Sequence, residues 1–401
     1  MPVRAYTAFI PVTEVEQAAF CHADLKTRPL EQEMRAVGVR WQEVPAKYAS
    51  LAADELRDRI ARAREKLGRR VAILGHHYQR DDVIAFADFR GDSLRLSQMA
   101  ASASEADFIV FCGVHFMAET ARVLCAPHQK VILPNMTAGC SMADMAPTQS
   151  VLEAWRDLNG LLAGQGGILP VTYVNSTAET KALVGRNGGI ACTSANALAV
   201  LSWAYRRADR VFFIPDQHLG RNSALELGIG LNEMALWDPS KPLGGNAAAA
   251  LRKSRLVLWQ GHCSVHTRFT VRHVEQVRKL CPGVKVIVHP ECTMDVVQAA
   301  DMSGSTEGII HAIEEAPPGG KWAVGTEINM VNRLAREHPD KEIVCLSPVV
   351  YPCTTMYRVH PAYLLWALEG LVEGRVVNEI TVDEETARYA RTALERMLEA
   401  T

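Results

Sequence analysis

Val71-Ala72-Ile73-Leu74-Gly75-His76-His77-Tyr78 is an apolar run that ends abruptly in polar residues, and the chain writes this pattern three times. Val171-Thr172 leads into Tyr173-Val174-Asn175, and Val286-Ile287-Val288 leads into His289-Pro290-Glu291. Each triplet is followed by a hydroxyl ahead of a helical pattern: Ser93, Ser194 and Thr306. A second apolar run comes next, at Phe108–Phe111, Val211–Ile214 and Trp322–Val324, and each copy then reaches a cysteine: Cys140, Cys263 or Cys353. Hydroxyl and cysteine are 47 residues apart in copies one and three and 69 apart in copy two. The excess of 22 falls in a Gly/Pro/Ala-rich stretch near 228–250, which reads as a surface loop. Strands apolar on both faces and separated by helical segments imply parallel sheets covered by helices. Ligands of such sheets bind beyond the carboxyl ends of the strands, where the polar triplets stand. The expected fold is α/β, with three small parallel-sheet units in a pseudo-threefold arrangement around a central active site.

Outward from the repeats, residues 1–70 read as an N-terminal helical extension, 71–166 as the first α/β repeat and 167–280 as the second with its insertion. Residues 281–360 are the third repeat, and 361–401 are C-terminal helices. Leu56, Ile60, Ala63 and Leu67 recur at helical spacing from Asp54, and Gly68 stops the run. A helix is expected from about Pro361 to Leu371, and a last one from Asp383 to Leu398, with Asp383 as cap and Glu384 and Glu385 in its first turn.

A chain of 401 residues, 48% hydrophobic and 22% charged, can bury several cores. Its net charge of −2 gives no general attraction to nucleic acid or anionic membranes. No apolar run approaches the roughly 20 residues that span a bilayer. Met1-Pro2-Val3-Arg4-Ala5 opens no secretion signal, so the expected location is cytoplasmic. Ten cysteines in that setting argue against a disulfide framework, and there is no Cys-x-x-Cys pair. Cys21, Cys125, Cys281, Cys292 and Cys345 read as buried small hydrophobes, and Cys112 and Cys192 as structural residues close to the site.

The three hydroxyls have two readings: helix caps, or anion seats formed with the free N–H groups of helix starts. The triplets supply acid–base groups, and Glu291 stands out because burial raises a carboxyl and suits it as a general base. Three equivalent cysteines without a fourth fit an iron–sulfur cluster with one iron free of protein ligands, or zinc as the weaker alternative. An open iron is a Lewis acid.

Together with Gly91-Asp92-Ser93-Leu94, Cys192-Thr193-Ser194-Ala195-Asn196-Ala197, Pro215-Asp216-Gln217-His218-Leu219-Gly220 and Trp259-Gln260-Gly261-His262-Cys263, these motifs resemble the quinolinate synthase family of de novo NAD biosynthesis over roughly residues 70–360. The resemblance implies condensation of iminoaspartate with dihydroxyacetone phosphate, releasing phosphate and water, at a [4Fe-4S] cluster held by Cys140, Cys263 and Cys353. It makes Glu291, Tyr78 and His289 catalytic. Substrate contacts would be His76, Ser93, Tyr173, Val174, Asn175, Ser194, His289, Pro290, Glu291 and Thr306. It also allows transient contact with L-aspartate oxidase as the source of the unstable imine. Cys345 is the nearest competitor for the third ligand position. An aconitase-like hydro-lyase and an iron–sulfur redox sensor are the other readings of an open cluster, the sensor lacking any evident partner-binding or DNA-binding element.

Overall fold

The computed structural model describes residues 27–36, 38–102, 105–349 and 352–400. Cys21 and the first residues of the chain lie outside that range. Three sheets carry the fold. The first contains β1 (Val71–His76), β2 (Phe89–Gly91), β3 (Phe108–Cys112) and β4 (Lys130–Ile132). The second contains β5 (Ile168–Tyr173), β6 (Ile190–Cys192), β7 (Arg210–Ile214), β8 (Met234–Trp237) and β9 (Leu256–Trp259). The third contains β10 (Lys285–Val288), β11 (Met302–Ser303), β12 (Lys321–Gly325) and β13 (Glu342–Cys345).

The strand orders are β2-β1-β3-β4, β6-β5-β7-β9-β8 and β11-β10-β12-β13, with every pair among these strands parallel. Each unit therefore places its triplet-bearing strand second and its next long apolar strand beside it. The three-unit α/β architecture expected from the repeat is present. One expectation is corrected: the insertion is not merely a surface loop. Its Met234–Trp237 segment pairs with β9 as an added edge strand, because alternate residues Ala235 and Trp237 are buried. The tail contributes more than helices as well, since β14 (Glu379–Ile380) pairs antiparallel with β4.

The flanking helices follow their apolar spacing. Helix Ala53–Leu67 buries Leu56, Ile60, Ala63 and Leu67, and Gly68 closes it at a positive φ of 53°. Helix Glu384–Glu399 starts at Asp383, whose side chain accepts the Thr386 N–H at 2.9 Å. Units one and two share one continuous core with the terminal helices, whereas the third sheet has separate apolar clusters on its two faces. Among the described residues no helix is long and apolar enough to cross a membrane.

Helix Glu384–Glu399 lies close against helix Ala178–Arg186 because Gly185 has no side chain. A Cβ there would stand 2.0 Å from the Tyr389 carbonyl oxygen. Gly185→Ala is expected to lower the unfolding free energy by about 1–3 kcal/mol through overpacking, measured by denaturant titration. Gly160→Ala, where a Cβ meets nothing within 4 Å, is the matched control.

Candidate active site

The carboxyl ends of the three sheets face one cavity. His76, Tyr78, Ser93, Cys140, Tyr173, Asn175, Ser194, Cys263, His289, Glu291, Thr306 and Cys353 all line it. Val174 and Pro290 do not. They are the middle residues of their triplets, just past the ends of β5 and β10, where Val174 stands in a bend and Pro290 in a turn closed by the Cys292 N–H on the His289 carbonyl at 2.9 Å. Val174 is buried in the core and its N–H continues the pairing to Cys192, while the Pro290 carbonyl accepts from Asn222 at 2.8 Å. His77, the equivalent residue of copy one, also turns away, to Glu307 Oε1 at 3.0 Å. Glu307 further accepts the Asp92 N–H at 3.3 Å, which ties the helix starts of units one and three together.

The two triplet histidines are held identically. His76 Nδ1 accepts the Tyr78 N–H at 3.1 Å, and His289 Nδ1 accepts the Glu291 N–H at 3.3 Å. Nδ1 is thereby an acceptor, which leaves the proton of a neutral ring on Nε2. Burial, the largest cause in both, pushes His76 well below its ordinary value and His289 down to about 3. Both imidazoles are neutral donors at ordinary pH.

The hydroxyls are not the caps. Asp92 Oδ1 accepts the Arg95 N–H at 2.9 Å, and Ser305 Oγ accepts the Gly308 N–H at 3.1 Å, so the residues just before Ser93 and Thr306 do the capping. In unit two, Asn196 occupies the cap position and turns back to the Thr193 N–H at 2.7 Å, two residues beyond Ser194. All three hydroxyls are thus left facing the cavity. Asn175 adds a buried carbonyl oxygen with no hydrogen-bond partner among the described residues, an acceptor placed for a ligand.

Tyr78 joins the units. Its hydroxyl lies 2.7 Å from Thr326 Oγ1, accepts from Thr306 at 3.2 Å, and is 3.4 Å from His266 Nε2. His266 Nδ1 is 3.0 Å from Glu291 Oε2, and Tyr173 donates to Glu291 Oε1 at 2.6 Å. The His266 ring stacks on His289 with centroids 4.3 Å apart. Burial alone would raise the Glu291 carboxyl, as the sequence suggested. The adjoining His289 and His266, with the bonds from His266 and Tyr173, reverse this and bring it down to about 2. Glu291 is a carboxylate, and the raised value expected for it is corrected. Nearby Asp216 is pushed the other way, chiefly by burial and then by the Glu291 charge.

His266 and Thr326 were not marked in the sequence. His266 stands three residues after Cys263, and Thr326 directly follows the carboxyl end of β12. The second position was open to detection from the strand pattern. The first becomes visible only when unit two closes on unit three.

The cysteines share one local design. Each precedes a short helical turn: Cys140 and Cys353 stand directly ahead of Ser141–Asp144 and Thr354–Tyr357, and Cys263 stands three residues before His266–Arg268. Each sulfur accepts backbone N–H bonds from residues two and three positions on, namely Met142 and Ala143, Val265 and His266, and Thr355 and Met356. Burial raises all three thiols, and these amides oppose it by favouring the thiolate. The charge of Cys353 is felt by both Cys140 and Cys263. Cys345 does not line the cavity, and only the Ser347 amide opposes the effect of burial on its thiol. Cys112 and Cys192 are fully buried at strand ends, Cys125 and Cys292 are buried as expected, and Cys281 and Cys345 are half-buried rather than buried. Glu327 Oε1 holds the Cys353 N–H at 3.1 Å.

A buried carboxylate, two neutral imidazoles and a bridging tyrosine share one cavity with three amide-supported thiols, the arrangement of an enzyme site. The chain belongs to the family whose model, described as Quinolinate synthetase A protein, matches residues 58–399. It is 55% identical over 359 residues to a quinolinate synthase of Corynebacterium glutamicum, covering 90% of this chain and 91% of that protein. It is 55% identical to one of Geobacillus sp. strain WCH70, covering 90% of this chain and 97% of that protein. The identity is 52% over 362 residues with one of Rhodopirellula baltica, covering 88% and 92% of the two chains.

The capping assignment has a direct check. Asp92→Ala and Ser305→Ala are each expected to cost about 0.5–2 kcal/mol of unfolding free energy. Ser93→Ala and Ser194→Ala should stay within about 0.5 kcal/mol of the parent in the same denaturation series.

Proposed function

We propose that this chain condenses iminoaspartate with dihydroxyacetone phosphate to form quinolinate, releasing phosphate and water, and that Cys140, Cys263 and Cys353 hold a [4Fe-4S] cluster. The single observation that carries the reading is the meeting of three equivalent cysteines, each with its pair of amides, with the Tyr78–His266–Glu291 chain in one cavity. Cys263 Sγ, a His266 ring nitrogen and a Glu291 oxygen lie within 4.8 Å of one another, so the sulfur end and the acid–base end of the cavity meet there. Three thiolates suit iron–sulfur chemistry. When bound, such a cluster with one iron free of protein ligands supplies a Lewis acid that polarises substrate oxygens.

The chain's own groups do the rest. Ser93, Ser194 and Thr306, with the neutral Nε2–H donors of His76 and His289, receive the carboxylates and phosphate of the substrates. Asn175 offers its free carbonyl to a hydroxyl or amine. Glu291, ionised, accepts the Nδ1 proton of His266, which turns the Nε2 lone pair toward Thr326 and Tyr78. His266 Nε2 can therefore take the Tyr78 proton, directly or through Thr326, and Tyr78 can exchange protons with the carbon skeleton during isomerisation. Glu291 removes protons from carbon on its side of the cavity, with Tyr173 holding its other oxygen. The substrates are small molecules. Work in the cytoplasm, with transient contact with L-aspartate oxidase as the imine source, completes the proposal.

Anaerobic incubation with iminoaspartate and dihydroxyacetone phosphate tests the reaction, with quinolinate as the readout. The parent chain should form it, and Glu291→Gln should retain bound iron while losing about 10²–10⁴ of the turnover, as expected for an acid–base group. Near-normal turnover by Glu291→Gln would move the base to another residue. For the metal centre, Cys140→Ser, Cys263→Ser and Cys353→Ser should each lose most bound iron, because a hydroxyl is a poor substitute for a thiolate. Cys345→Ser and Cys112→Ser should keep it. Full iron in Cys353→Ser would remove the third ligand.

A further inference from the structure

Residues 27–36 and 38–48 precede the stretch matched by the family, yet they reach behind the cavity wall at three places. Glu33, in helix Leu30–Ala36, is 4% exposed and takes both terminal nitrogens of Arg80, at 2.8 and 3.0 Å. Arg80 is itself 3% exposed, donates to Asp82 at 3.0 Å, and lies over the Tyr357 ring at 4.4 Å. It follows Tyr78 by two residues, and Tyr357 closes the turn that starts at Cys353, giving its N–H to the Cys353 carbonyl at 2.9 Å. His360 Nε2 also donates to the Arg28 carbonyl at 2.8 Å. Further along, Gln42 Oε1 accepts the Met136 N–H at 2.7 Å, four residues before Cys140. Asn135, next to Met136, donates to the Arg358 carbonyl at 2.8 Å, which ties the Cys140 and Cys353 segments to each other.

A buried ion pair gives little net stability, because both ions lose their hydration, so its value here lies in fixing position. That matters because Cys140 and Cys353 stand on turns of only four residues, Ser141–Asp144 and Thr354–Tyr357. Turns so short have almost no stability of their own. Where their sulfurs sit depends on what braces them from outside.

We propose that residues 27–36 and 38–48 are a clasp, with Glu33 and Gln42 as positioning residues, which holds the Cys140 and Cys353 segments and the Tyr78 turn in the register that retains the metal centre. The inference rests on the reading that the three cysteines hold a cluster. Its test compares Glu33→Gln and Gln42→Ala with Tyr48→Phe. Tyr48 belongs to the same segment, but its hydroxyl donates to Glu369 at 2.9 Å, away from the cysteine segments. Iron release to a ferrous chelator is followed anaerobically, well below each variant's thermal midpoint. In parallel, amide exchange over residues 133–142 and 352–361 is followed in iron-free protein.

Glu33→Gln and Gln42→Ala should release iron roughly 10-fold faster or more, the low end of what partners behind metal ligands contribute, and should exchange faster in both segments. Tyr48→Phe should match the parent in both measurements. Equal acceleration by Tyr48→Phe would reduce the clasp to general packing, and parental rates in Gln42→Ala would overturn it. If Glu33→Gln does not fold, Gln42→Ala decides alone. A parent chain that binds no iron would sink the cysteine reading instead, and the exchange rates would then decide the clasp by themselves.

Discussion

The hydroxyl of Tyr78 is where the three units are tied together. It comes from unit one, bonds to Thr306 and Thr326 of unit three, and faces His266 of unit two. His266 in turn bonds to Glu291 of unit three, whose other oxygen takes the Tyr173 hydroxyl of unit two. Buried polar groups are costly unless each finds its partner, so this chain of bonds requires all three sheet edges to stand in one mutual placement. Moving any sheet by a few ångströms would strand a carboxylate, two hydroxyls and an imidazole in the interior.

The same placement sets the chemistry. A carboxyl as buried as Glu291 would ordinarily be neutral. The hydrogen bonds its two oxygens accept from His266 Nδ1 and the Tyr173 hydroxyl favour the charged form. Its ionisation then fixes which nitrogen of His266 carries the proton, and so which direction a proton can leave Tyr78. At the other end of the cavity, paired amides at each cysteine do for sulfur what the His266 and Tyr173 bonds do for the carboxylate. They replace lost hydration with fixed dipoles. The triplet histidines, kept neutral by burial, add donors without adding positive charge.

The repeat written in the chain contains most of this. Period-free apolar runs ending in polar residues imply parallel strands whose carboxyl ends carry the site. Three hydroxyls and three cysteines in equivalent places imply that the site is shared. The helices at Ala53–Leu67 and Glu384–Glu399 were legible because their apolar spacing, and in the second an Asp cap, are local signals. The strand inside the insertion was not. Met234–Trp237 is short and sits among glycines and prolines, and it becomes a strand only because β9 offers a free edge.

The sequence by itself determined which residues could form the site, since strand ends and helix starts are consequences of short-range pattern. It could not determine side: Val174 and Pro290 belong to the same triplets as Tyr173 and Glu291, yet the bend after β5 and the turn after β10 leave them out of the cavity lining. Nor could it determine charge. Glu291 is ionised, and Asp92 and Ser305 cap in place of Ser93 and Thr306, because of neighbours tens to hundreds of residues away or of a one-residue shift in helix start. Only the tertiary structure decided these points, because proton affinity and hydrogen-bond satisfaction depend on what surrounds a group in space rather than along the chain.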